Sequence, residues 1–299
     1  MLLCPIGLVA ATLVLTACGE RDEPTGVVAS PFPVTVEGAG DAPTSLESPP
    51  DRIVALDAGS AELIAALGAA DRLVGVPVGV NVDAAETPAQ VVDENGTVDI
   101  GAVVALEPDL VVVTPETDRV DAAQVERRTR APVYVQPALT VGDVRRAALD
   151  LGFLLGRPVE ARRLAGKLEK DVADVERKLA DVKPTTAFVD TGLFVTIRDP
   201  SLFADLIRRA KGENVATETD AGPLSAEELA GRDPDVYLVT SDSGLTLEDL
   251  RRSPQTRDLT AVKDGRVVVL PLDLVTRAGP RVAEALQTIA VALHPDAFK

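Results

Sequence analysis

Ala105-Leu106-Glu107-Pro108-Asp109-Leu110-Val111-Val112-Val113-Thr114 reads as a helix end, a Pro-Asp corner, a buried strand and a threonine that enters a loop. The same order returns at Gly231-Arg232-Asp233-Pro234-Asp235-Val236-Tyr237-Leu238-Val239-Thr240. A short apolar run without alternation suits a parallel strand covered on both faces. The two copies flank the longest helical pattern in the chain. The sequence therefore predicts an α/β protein of two similar Rossmann-like lobes, each with a central parallel sheet.

Working outward, the first lobe is expected over 50–141. Ile53-Val54-Ala55-Leu56 is its opening strand. Ser60 is placed to cap the helix that follows, and Gly68 to close it. Leu73-Val74-Gly75-Val76 and Val133-Tyr134-Val135 are further strands. Residues 142–183 are connecting helices. The long one spans about 159–182, with Pro158 in its first turn. Ala161, Leu164, Ala165, Leu168, Val172, Val175, Leu179 and Val182 recur in steps of three and four, one apolar stripe against a charged face. At 1.5 Å per residue such a rod measures roughly 35 Å, enough to reach from one lobe to the other. The second lobe is expected over 184–299. Its strands are Ala187-Phe188-Val189, Val236-Tyr237-Leu238-Val239 and Val267-Val268-Val269-Leu270, with helices near 202–210 and 280–293.

The N-terminus is of another kind. An apolar run over 6–15 leads into Leu15-Thr16-Ala17-Cys18. This is the pattern of a bacterial lipoprotein signal, residues 1–17, with Cys18 as the lipidated first residue. The segment before the run lacks Lys and Arg, and the run is too short to span a bilayer. Residues 18–49 are then a lipidated tether and a short hairpin, with a strand over 32–37 and a return over 42–47. The expected location is extracytoplasmic, anchored by lipid to the cell membrane.

Composition removes several functions. The formal net charge is −17 over 299 residues, which opposes binding to nucleic acid or a broad bed of anionic lipid. Once Cys4 leaves with the signal and Cys18 carries lipid, no thiol remains, and His294 is the one histidine. A soft-metal site built from protein ligands lacks donors. No Gly-x-Ser-x-Gly or Walker-type phosphate loop appears. Asp57, Asp190 and Asp242 could serve an enzyme on such a frame, but turn capping explains them equally well.

Four stretches, in order, carry a family likeness. They are Pro50–Leu56 running on through Glu62 to Val76, then Leu106–Val111, then Gly212-Glu213-Asn214-Val215, and last Ala261–Val267 with Gly279-Pro280-Arg281. Together they resemble the helical-backbone, class III, substrate-binding proteins of ABC uptake systems, which capture iron-siderophore complexes, cobalamin or haem. The resemblance implies a ligand cleft between lobes joined by the long backbone helix, with small hinge motion. It implies a monomer that serves a permease and its ATPase, and capture without catalysis. In that family a glutamate on each lobe docks on the permease. The second matches Glu227; the first falls at Gly101, where Asp99 or Glu94 is the nearest substitute. The hairpin before Pro49 is similar to that of siderophore-binding members. The expected cargo is therefore a ferric siderophore. The alternatives are cobalamin or haem on the same fold, or a sensor or scaffold lipoprotein without transport.

Ligands of doubly wound sheets sit outside the carboxyl ends of the strands. That selects the loops 57–60, 79–81, 114–117, 191–198, 240–243 and 273–277. Ser60, Asn81, Thr117, Phe194, Arg198, Ser241 and Arg277 are the candidates within them. A siderophore already saturates its metal, so the protein has to supply shape, hydrogen bonds and a cation. Arg198 and Arg277 are the expected cations for an anionic chelate. No cofactor is expected apart from the lipid on Cys18.

Overall fold

A computed structural model describes residues 32–117, 119–216 and 223–299, the side chains of 119 and 120 excepted. The signal, Cys18 and the tether up to residue 31 lie outside the described residues. The expected hairpin is present: β1 (Val34–Val36) pairs antiparallel with β2 (Thr44–Leu46).

The N-lobe holds β3 (Ile53–Ala55), α1 (Ala58–Ala66), β4 (Leu73–Pro77), β5 (Ala89–Val92), α2 (Ile100–Ala105), β6 (Leu110–Val113), α3 (Arg119–Thr129) and β7 (Val133–Val135). Its strands form one parallel sheet in the order β5-β4-β3-β6-β7. Side-chain alternation divides the sheet cleanly. Ile53, Ala55, Leu110 and Val112 face α1 and the spine helices, while Val54, Val111 and Val113 face α2 and α3. Both faces are covered, which is why these runs carry no polar residues.

Two helices then form the spine. They are α4 (Val141–Leu154) and α5 (Pro158–Lys178), joined by a tight turn at Gly156, φ +69°. Each passes through both cores. Val144 of α4 and Leu168, Val172 and Val175 of α5 lie in the C-lobe core. Ala147, Ala148 and Leu151 of α4 and Ala161 of α5 lie in the N-lobe core. Leu164 packs against both. The stripe read from the sequence is thus the seam that joins the lobes. The helix ends at Lys178, about a turn before the expected 182. There Leu179 caps it and enters the C-lobe core, and Pro184 forces an extended entry into the next strand.

The C-lobe holds β8 (Thr185–Asp190), α6 (Leu202–Arg209), β9 (Gly212–Asn214), α7 (Ala226–Arg232), β10 (Val236–Thr240), α8 (Leu247–Arg252), α9 (Thr260–Lys263), β11 (Val267–Leu270), α10 (Leu272–Thr276) and α11 (Val282–Leu293). Its strands are parallel in the order β11-β10-β8-β9. The lobes are therefore two separate doubly wound sheets. The strand order reverses between β3 and β6 in one and between β8 and β10 in the other.

The repeated Pro-Asp corner has one physical role in both lobes. Glu107 (φ +47°) and Asp233 (φ +38°) turn the chain out of α2 and α7 through a left-handed residue. The aspartate after the proline then captures the chain as it enters the neighbouring strand. Asp109 accepts from the amides of Asp51 and Arg52 before β3, at 2.8 and 2.9 Å. Asp235 accepts from the amide and hydroxyl of Thr186 in β8, at 3.1 and 2.7 Å.

Candidate functional site

The reversal point of the N-lobe sheet, at the carboxyl ends of β3 and β6, lies where the lobes meet. Asp57 caps α1, its Oδ1 accepting from the Ser60 amide at 2.9 Å. Ser60, expected as that cap, is instead buried within the first turn, and its Oγ has no partner. The cap falls three residues earlier because Asp57 is the residue in extended conformation, while Ser60 is already helical.

The same turn is the contact between lobes. A Cβ on Gly59 would sit 2.7 Å from the Ala278 carbonyl oxygen, so glycine is required for the approach. Buried Gln136 donates from Nε2 to that carbonyl at 3.0 Å. One helical turn on, Glu62 Oε1 accepts from Arg277 Nη1 at 2.9 Å and from Arg281 Nη2 at 3.2 Å. Glu62 supports the raised basicity of Arg281, whose pKa lies above its ordinary value chiefly through that bond. A further tie joins the Val141 amide at the start of α4 to Asp205 Oδ2 on α6, at 2.9 Å.

Beside this contact lies a cavity of about 250 Å³. The N-lobe wall includes Asp57, Thr114, Glu116 and Thr117, and the other wall Thr276, Arg277 and Ala278. Burial pushes the Asp57 carboxyl above its ordinary pKa, and the charge of Glu116 adds to the effect. The Ser60 and Gly59 amides oppose it.

Of the sequence candidates, Thr117 and Arg277 line this cavity. Arg277 is not the open cation expected of it, because Glu62, 215 residues away in sequence, already pairs with it. Arg198 is exposed on the loop before α6, and Asn81 is exposed after β4; neither lines the cavity. Ser241 accepts from the Leu272 amide through Oγ at 3.1 Å. Phe194 packs against the C-lobe cluster of Phe188, Tyr237 and Leu229. Asp99 caps α2 through Ala102 and is exposed beside Gly101, and Glu227 is exposed in the first turn of α7. Asp57 and Glu116, which are not among the candidate residues read from the sequence, also line the cavity, and both lie in loops at the carboxyl ends of strands.

Phe194 belongs to an unusual loop. Leu193 (φ +55°) and Phe194 (φ +63°) are both left-handed, a rare backbone state for residues with such side chains. Fully buried Asp190 holds them there. It accepts from the Gly192 and Phe194 amides at 2.8 and 3.1 Å and from the Tyr237 hydroxyl at 2.7 Å. Leu193 is left 86% exposed at the carboxyl end of β8. Tyr237 and Tyr134 are both buried, and burial together with the bonded aspartate pushes each hydroxyl far above its ordinary pKa. Neither tyrosine lines the cavity.

Twin sheets, a shared spine and a cavity between the lobes are the architecture of one group of proteins, and sequence comparison agrees. Residues 53–274 match the family described as periplasmic binding protein. The chain belongs to that family. It has the two-lobed class III fold of substrate-binding proteins. Among its relatives is an uncharacterised ABC transporter substrate-binding lipoprotein, YvrC of Bacillus subtilis. It is 25% identical over 259 residues, covering 82% of this chain and 81% of the relative. A cobalamin-binding protein of Halobacterium salinarum is 28% identical, covering 81% of this chain and 69% of that one. The crystal structure of Helicobacter pylori CeuE, a Ni-His complex, superposes with a TM-score of 0.75 at 19% identity. That superposition covers 89% of each chain and supports the fold.

Proposed function

We propose that this family member is the extracytoplasmic, lipid-anchored receptor of an ABC importer and that it carries a ferric siderophore between its lobes. The observation that carries the reading is the cavity at the N-lobe reversal point, walled by Asp57, Thr114 and Thr117 on one side and by Arg277 and Ala278, which follow α10 of the C-lobe, on the other. A site shared by two lobes grips and releases cargo through small changes in their separation. The spine helices threaded through both cores keep that motion small. Cys18 supplies the anchor, a role in keeping with the lipoprotein relative from Bacillus subtilis. Glu227 on α7 and Asp99 on α2 are the docking carboxylates toward the permease, and the permease with its ATPase completes the importer. The protein acts as a monomer that binds its cargo without transforming it.

Cobalamin is the second reading, because the Halobacterium relative is named for binding it. Native mass spectrometry and calorimetry with a panel of ferric siderophores and cobalamins test both. A one-to-one complex with a ferric siderophore is the expected result. A complex with cobalamin alone would transfer the function to the second reading. Retention of neither class would remove the receptor role.

A further inference from the structure

The charge of the cleft says which chelates it accepts. Resting on the reading above, we infer that the site selects a metal chelate bearing a positive charge. Asp57 and Glu116 stand in the lining, and Arg277 is the one cation there among the described residues. Arg277 presents no uncompensated charge, because Glu62 is bonded to it and Asp273 lies 3.9 Å from the same nitrogen. Arg281, the next cation along, is held by the same two acids. An anionic chelate would have to displace Glu62 and also face the two carboxylates of the opposite wall. A cation meets both carboxylates and disturbs no existing pair.

Two further observations agree. Burial and the charge of Glu116 raise the pKa of Asp57 and the amides of Ser60 and Gly59 oppose them, so a cation bound in the cavity would favour the ionised carboxylate. The whole chain carries a formal charge of −17, and that field steers cations toward the protein and repels anions. The expectation of an arginine-lined site for an anion is thereby reversed. The cleft has arginine, but its charge is spent on holding the lobes together.

The test varies charge on a constant scaffold. Calorimetry of the whole protein with ferrioxamine B, which carries a free ammonium, is compared with its neutral N-acetylated form. Aquacobalamin, a cation, is compared with neutral cyanocobalamin. On the scaffold that binds, the cationic member is expected to be tighter by about 10-fold or more, an advantage that shrinks in high salt. The Asp57→Asn, Glu116→Gln variant should lose most of that advantage, read as the ratio of the affinities for the two members of the pair. Asparagine preserves the cap of α1, so the fold is retained, and an unchanged melting midpoint checks it. Equal affinity for both members of a pair, or a preference for the neutral one, overturns charge selection and leaves the receptor role standing. If neither scaffold binds and a ferric tris-catecholate anion does, charge selection is again overturned. If no chelate binds at all, the receptor role fails and the inference fails with it.

Discussion

A methyl group at position 59 has nowhere to go. Its nearest neighbours are backbone atoms of Ala278, which cannot rotate away as a side chain would. Gly59→Ala should therefore force the lobes apart and cost roughly 1–3 kcal/mol, read as a lower urea midpoint. Alanine is otherwise the better helix former, so an unchanged or higher midpoint would show that the contact yields. His294 illustrates a second kind of constraint. It is buried at the end of α11, where its Nδ1 lies 3.4 Å from Thr185 Oγ1 and its Nε2 has no partner. Burial lowers its pKa below the ordinary 6.5. The unfolded chain thus takes up a proton more readily than the folded one. Stability from the neutral ring is complete above about pH 6.5 and is lost as pH falls through the folded value. The stability difference between the wild type and His294→Gln should narrow or reverse as pH drops from 7 to 5. Measuring the difference cancels the carboxylates, which titrate over the same range.

At the scale of elements, the closest packing is between α4 and α5. A Cβ built on Gly152 overlaps the Cβ of Ala161, so the helices cross with no space for a side chain on one of them. Gly152→Ala should separate the helix pair and lower stability by roughly 2–3 kcal/mol, more than any gain in helix propensity. A thermal melt at neutral pH would show it, and a neutral effect would mean that the spine can slide. Elements like these were legible where burial writes a pattern. The strands β6, β7 and β11 could be bounded from the sequence, because each is an uninterrupted run of apolar residues, although β7 and β11 stand at sheet edges and Val269 is exposed. The stripe on α5 was equally plain. The strands β5 and β9 were not seen. Edge position does not distinguish them from β7 and β11; Ala-Gln-Val-Val and Gly-Glu-Asn carry polar residues in place of an apolar run and owe their extended form to the ladder beside them. The site followed the same division. The loops at the strand ends were predictable from topology, and Thr117 and Arg277 were found there. The pairing of Arg277 was not predictable, because Glu62 reaches it only after two lobes have folded and met. Nor could the sequence tell that Asp57 would take the cap assigned to Ser60, since both residue types favour that position.

For the whole molecule, the lobes are held by the spine at the back and by the Glu62 cluster in front. The Glu62 and Arg277 side chains are 17% and 26% exposed, so the pair lies between the surface and buried limits. Glu62→Gln should cost roughly 1–2 kcal/mol and hasten amide exchange at both 58–62 and 277–281. Faster exchange in one segment alone would show that the pair does not link the lobes. Delivery is a separate property of the same body. Glu227 is exposed on α7 and does not line the cavity. Glu227→Ala should leave the affinity for cargo intact and reduce uptake in cells. Unchanged uptake would take the residue out of permease docking.

The buried tyrosines have a practical sequel. The chain contains no Trp and two Tyr, and both phenol groups are hydrogen-bonded to aspartates, Asp150 and Asp190. The protein is close to colourless in the near ultraviolet and nearly dark in emission. The absorbance and circular dichroism of a bound iron or cobalt complex would therefore stand on an almost blank baseline. A single tryptophan introduced at Leu193 would be the molecule's only indole, a lamp on the rim of the C-lobe whose dimming could be followed in real time.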